Sequence, residues 1–72
     1  MNSTSDTFHS EAVQSYVKGL MWDYDMTKKE ALAYYFVVVT GMTRKSYAET
    51  LNVSVSLITK RVKSAQAKIN AP

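Results

Sequence analysis

Between Met26 and Ile58 the chain repeats one local pattern three times. An apolar residue precedes a Thr or Ser, and a second apolar residue follows at the fourth position after that hydroxyl. The members are Met26-Thr27 with Ala31, Met42-Thr43 with Tyr47, and Val53-Ser54 with Ile58. A hydroxyl just before a helix accepts a bond from a free amide of the first turn, and the flanking apolar pair packs together and fixes the angle of entry. Thr27-Lys28-Lys29-Glu30 also fits the capping box, in which hydroxyl and carboxylate satisfy each other's neighbouring amides. Helix starts this closely spaced leave room only for short helices. They predict an all-α, four-helix compact domain.

The apolar periodicity fills in the elements. Val13, Tyr16, Val17, Leu20, Met21 and Tyr24 form one stripe of an amphipathic N-terminal helix, expected over 8–25 after a flexible 1–7. Gly19 lies inside it and is expected to mark a close helix crossing. Trp22 falls opposite the stripe, which suggests a contact beyond the core. A central helix is expected over 27–40, with Leu32, Tyr35, Phe36 and Val39 as its main stripe and Ala31, Tyr34 and Val38 on the far side. A helix apolar on both sides is buried on both sides. The run Tyr34 to Val39 has high strand propensity, but the capping box ahead of it and the lack of a partner strand favour helix. Gly41 is the expected left-handed end. Two further helices are expected over 44–51, with Tyr47, Ala48 and Leu51 inward, and over 55–69, with Ile58, Val62, Ala65 and Ile69 inward. The single domain spans 8–72.

Composition narrows the function. The chain has 72 residues, no Cys and one His. Disulfides, thiolate sites and thiol nucleophiles are excluded, and His9 cannot build a zinc site alone. The longest apolar run, Ala31 to Val39, is too short to span a bilayer, and the polar start is unlike a signal peptide. A soluble, cytoplasmic protein without membrane contact is the expectation. His9, Ser10 and Glu11 hold the residue types of a hydrolytic triad, but neighbours at a helix start diverge. Asp23 and Asp25 are too few for a calcium loop and read as a helix-ending linker. No Gly-rich phosphate loop exists. The expectation is therefore no enzyme, no cofactor, no metal and no small-molecule ligand.

Charge is unevenly spread. Residues 1–25 carry Asp6, Glu11, Asp23 and Asp25 against Lys18, a balance of −3. Residues 26–72 carry Lys28, Lys29, Arg44, Lys45, Lys60, Arg61, Lys63 and Lys68 against Glu30 and Glu49, a balance of +6. A basic body with an acidic appendage suits a polyanion partner that the appendage avoids.

The segment from Arg44 to Ile69 has the spacing of a helix-turn-helix. Ala48 sits where two helices approach, Asn52 takes the left-handed turn position, and Ile58 plugs the core from the second helix. An apolar residue is commonly expected where Arg61 stands, and Val62 is the substitute. No acid occurs from Thr50 to the end of the sequence.

Thr40 to Ile69 resembles the helix-turn-helix of plasmid-encoded repressors of the TrfB/KorA type, through Gly41, Tyr47-Ala48, Leu51, Val53-Ser54 and Leu57-Ile58-Thr59-Lys60. The stretch is also similar to LuxR-type and sigma region 4 DNA-binding domains. Met26-Thr27-x-Lys29-Glu30 matches the opening of a LuxR-type module and Gly41-x-Thr43-x-Lys45 its inner turn, with one residue more than that pattern between Thr27 and Gly41. Gly41 to Lys45 is similar to the PapB fimbrial regulators as well. The resemblance implies a transcriptional regulator that reads double-stranded DNA.

On the second motif helix, the arc opposite the core stripe holds Ser56, Lys60, Lys63, Ser64 and Ala67, with Leu57 on its flank. Such a face suits a major groove. Lys60 is the candidate donor to guanine, Ser56 a versatile partner, and Leu57 either a thymine-methyl contact or part of the packing. Arg61, Lys63 and Lys68 are candidates for phosphates. Arg44 and Lys45, in the first turn of the preceding helix, are also candidate phosphate ligands. Thr43, Ser54 and Thr59 complete the expected DNA-binding set. Two half-sites are the usual requirement, so a homodimer on a palindromic operator, paired through the N-terminal helix, is the favoured arrangement. The alternative is a protein-interaction adaptor or anti-activator. There the helices are only a scaffold, and Trp22 with the Ala31/Tyr34/Val38 stripe meets a polymerase or another regulator.

Overall fold

Each α-helix begins at a hydroxyl cap. In the computed structural model, which describes residues 10–71, Ser10, Thr27, Thr43 and Ser54 accept bonds from the amides of Val13, Glu30, Ser46 and Leu57 at 3.0–3.2 Å. The helices they open are α1, Glu11–Tyr24; α2, Lys28–Tyr34, continued by a π-helical turn, Tyr35–Val39; α3, Arg44–Leu51; and α4, Val55–Asn70. The capping box at Thr27 is closed by Glu30, whose Oε1 accepts from the Thr27 amide at 2.8 Å. The domain is all-α, as the three hydroxyl caps predict. The expectations for 1–7 and for the start of the first helix at 8 lie outside the described residues, as does His9.

All three expected apolar pairs reach the core. Met26, Ala31, Tyr47 and Ile58 are buried, and Met42 and Val53 pack against them. The core is completed by Val13, Val17 and Leu20 of α1, Ala33 and Phe36, Ala48, and Val62 and Ala65. Helix α2 lies centrally: α1 and α4 both pack on it, as expected for a helix apolar on two sides.

The helix-turn-helix forms as its spacing requires. Ala48 and Ile58 are fully buried, and Asn52 is left-handed with φ 58°. The Val53 amide donates to the Ala48 carbonyl at 3.0 Å and the Asn52 amide to the Glu49 carbonyl at 3.1 Å. That pair of bonds is the Schellman ending, which satisfies carbonyls the helix leaves free. Val62, not Arg61, is buried. Leu51, expected inward, is 37% exposed: it is the last residue of α3, and Val53 beyond the turn occupies the core in its place.

The central helix departs further from expectation. The Thr40 amide bonds the Tyr35 carbonyl, five residues back, at 3.0 Å, and the Met42 amide reaches the Phe36 carbonyl at 2.9 Å past the left-handed Gly41. The wider turn accommodates one more residue before the end of the helix. Ahead of the turn the expected stripes hold: Ala31 is buried, and Leu32 and Tyr34 pack against the core, with Ala33 buried as well. Within it Phe36 is buried and Tyr35 packs against the core, while Val38 and Val39, both expected on packing stripes, are 41% and 45% exposed. In α1, Tyr16 and Tyr24 of the expected stripe are exposed, and Gly19 marks no crossing with another helix of the same chain, since a Cβ there would meet nothing within 4 Å.

Aromatic rings link the two ends of the core. Tyr16 of α1 lies 5.0 Å from Tyr35, Tyr35 5.1 Å from Phe36, and Phe36 5.7 Å from Tyr47 of α3. Offset and edge-on ring pairs of this kind add to what area burial provides. The π turn supplies the two middle rings.

Candidate nucleic-acid interface

The surface of the motif is built from two helix starts. At α3, Thr43 caps the helix and Arg44 and Lys45 follow at its first two positions, both exposed. Free amides and the aligned peptide dipoles make such an end attractive to an anion. At α4, Ser54 caps and Val55 and Ser56 open the helix, again exposed.

The exposed side of α4 is turned from the expected one. Leu57, Arg61, Ser64 and Lys68 share one flank and are all half-buried. That flank is held by Glu30 at the start of α2. The Ser64 hydroxyl bonds Glu30 Oε2, and Lys68 Nζ pairs with Glu30 Oε1 at 2.7 Å and reaches the Asp25 carbonyl at 3.2 Å. Burial pushes the Glu30 carboxyl up, but Lys68, Ser64 and the amide and hydroxyl of Thr27 outweigh it and bring its pKa from 4.5 down to about 2. Ser64 is thus no part of an open face. Lys68, expected on phosphate, is instead engaged within the molecule, because packing on α2 presents it to a carboxylate.

With that flank occupied, the free arc consists of Val55, Ser56, Lys60, Lys63, Gln66 and Ala67, with Thr59 half-buried among them. Val55 and Gln66 were not anticipated. Helical spacing puts both at the margin of the core stripe, and only the tilt of α4 onto α2 decides that they face out. Val55 is 44% exposed at the helix start, an apolar side chain on an otherwise polar arc. Arg61 is half-buried beside Tyr47, and its charge opposes the upward push that burial gives the Tyr47 phenol. Among the described residues, Lys68–Glu30 is the only ion pair. Arg44, Lys45, Lys60 and Lys63 therefore have no carboxylate partner within it.

The arrangement offers hydrogen-bond donors, a hydroxyl acceptor and a methyl contact along one arc, with cations at its rim. Among the described residues no group of His, Asp or Glu is placed to hold a metal ion, and no helix is long and apolar enough to cross a membrane. No known protein family, curated protein or solved structure matches the chain.

Proposed function

We propose that the chain is a sequence-specific regulator of transcription that binds double-stranded DNA as a homodimer on a palindromic operator. The carrying observation is the outward arc of α4, exposed, carboxylate-free and free of intramolecular ion pairs. In this reading the start of α4 enters the major groove. Lys60 donates to guanine acceptors, Ser56 adapts to several bases, and Val55 meets a thymine methyl. Leu57 and Thr59, half-buried, support that edge more than they read it. Arg44 and Lys45 hold one phosphate stretch at the start of α3, with Arg61 and Lys63 on another. Thr43 and Ser54 act through their caps, which fix where the two helix starts lie. Within this proposal the regulator is a repressor, acting where its operator overlaps a promoter and its occupancy excludes polymerase.

A titration of duplex DNA against salt tests this. With Arg44, Lys45, Arg61 and Lys63 each neutralising one phosphate, log K falls against log salt with a slope of about −3.6 per protomer and about −7 for the dimer. Arg44→Ala weakens every sequence alike and flattens the slope, whereas Lys60→Ala relaxes base preference. Absent or salt-insensitive binding defeats the proposal. The adaptor reading draws on one observation, Trp22 at 86% exposure. It requires that the pure protein fail to shift DNA without a partner.

A further inference from the structure

Trp22 is the most exposed large apolar side chain among the described residues. It does not stand alone. Further round α1 lies a shallow groove of about 310 Å³, lined by Ser15, Tyr16, Gly19, Leu20, Asp23 and Tyr24, which shares only Ser15 and Gly19 with the face that Trp22 occupies. At 100° per residue, Ser15, Gly19 and Trp22 lie within about 60° of one another. Lys18 borders this strip on the Trp22 side, and Tyr16 and Asp23 border it on the other. Nothing covers Gly19, so a second backbone can approach it closely.

The charges on this face complement themselves under one operation. A two-fold axis perpendicular to α1 brings each edge of the strip against the same edge of an antiparallel copy, with the chain direction reversed. On one edge the pair Lys18 and Trp22 is centred on residue 20; on the other, Tyr16 and Asp23 are centred between 19 and 20. A single crossing at Gly19–Leu20 therefore satisfies both. It sets each Lys18 ammonium against the partner's indole face, a cation–π contact, and each Tyr16 hydroxyl against the partner's Asp23 carboxylate. Each interaction is made twice, as an isologous interface requires.

We infer that α1 is the self-association surface, in which two copies cross antiparallel at Gly19 and bury Trp22 against each other. The inference deepens the dimeric reading above by naming its interface. It leaves α4 free, since α1 and α4 both pack on α2 and scarcely on each other.

Trp22 is the only Trp in the chain, so its fluorescence reports on this face directly. Sedimentation equilibrium and emission are followed together on the full chain from micromolar to millimolar concentration. The expected result is a doubling of mass in step with a blue shift of the emission. Trp22→Ala and Gly19→Arg each weaken association at least about tenfold, equivalent to about 1.4 kcal/mol, with the helical circular dichroism unchanged. The chain has no native Cys, which permits a check of direction. Under oxidation Gly19→Cys links two copies, whereas Ser15→Cys does not, because its mates lie about 15 Å apart along an antiparallel pair. A protein monomeric throughout overturns the inference. So does a dimer whose Trp22 emission never moves, a monomer whose Trp22 is already shifted by its own chain, or efficient linkage at Ser15→Cys. A monomer that still binds DNA, with the protomer's slope of about −3.6, defeats this inference and the dimeric part of the reading above, and leaves DNA binding standing. A Trp22-buried dimer that ignores DNA defeats only the function proposed above.

Discussion

The helix-turn-helix from Thr43 to Asn70 and the π turn from Tyr35 to Val39 are equally dependent on burial, yet they obey different rules. In the former, a few positions each have a local physical duty. Thr43 and Ser54 cap, Asn52 turns left-handed, Ala48 leaves room and Ile58 fills it. In the latter, five consecutive large or branched residues offer no local break, and the chain settles which of them is buried by how α2 fits between α1 and α4. Local chemistry fixes the motif, whereas tertiary fit fixes the turn. The same kind of substitution should therefore have unequal effects in the two regions.

The largest expected difference comes from truncating one branched residue in each. Ile58 is fully buried, so Ile58→Ala loses transfer energy and leaves a cavity, about 2–5 kcal/mol. Val39, on an expected packing stripe but outward in fact, should lose no more than about 0.5 kcal/mol as Val39→Ala. Urea unfolding of both variants measures the contrast. Equal losses would mean that the wider turn does not turn Val39 out.

A smaller effect isolates the backbone. Asn52→Ala places a Cβ in left-handed geometry without the side chain that tolerates it, at a cost of about 1–2 kcal/mol. Asn52→Gly should change stability by less than about 0.5 kcal/mol. If Ala and Gly behave alike there, the turn is held by packing and the motif loses its local character.

Glu30 ties the start of α2 to α4, and its titration gives a comparable effect with a defined direction. Its carboxyl is depressed from 4.5 to about 2 in the folded chain. A depressed acid contributes stability above its unfolded value and loses it as pH falls through the folded one. Stability should thus decline between about pH 4.5 and pH 2 in the native protein. Glu30→Gln should be weaker at neutral pH by about 1–2 kcal/mol, with the Lys68 ammonium left without its carboxylate and holding only the Asp25 carbonyl, and should show a flatter acid limb. Parallel acid limbs in the two proteins would show that other carboxylates set the pH dependence.

These cases show what the residues alone disclose. The caps, the left-handed ends at Asn52 and Gly41, the exchange of Val62 for Arg61 and the core role of Ile58 were legible, since each depends on neighbours within about one helical turn. The π turn was not: strand propensity and helical spacing both speak to Tyr34–Val39, and neither encodes a bond from Thr40 to Tyr35. The candidate interface was half legible. Arg44, Lys45, Ser56, Lys60 and Lys63 stay exposed, as a solvated basic arc should. Ser64 and Lys68 do not, because the carboxylate that claims them lies more than thirty residues earlier and only the α2–α4 packing brings it near. Val55 and Gln66 emerge for the same reason in reverse.

The smallest effect has an unusual sign. Gly19 sits in the interior of α1 with open space where a Cβ would go. Gly19→Ala should therefore stabilise the isolated chain by about 0.5–1 kcal/mol, because the unfolded state loses backbone freedom while the fold meets no clash. Were Gly19 only a weak point in a solvent-facing helix, every property would improve together. If two copies cross there, the added methyl holds their backbones apart, and the midpoint of self-association moves to higher protein concentration while the urea midpoint of dilute, monomeric protein rises. Weaker association together with a more stable monomer is a result that no purely intrachain role for this glycine produces. Association that is unchanged or tighter in the stabilised variant would return Gly19 to the tolerated defects of an ordinary helix and leave Trp22 without its proposed partner.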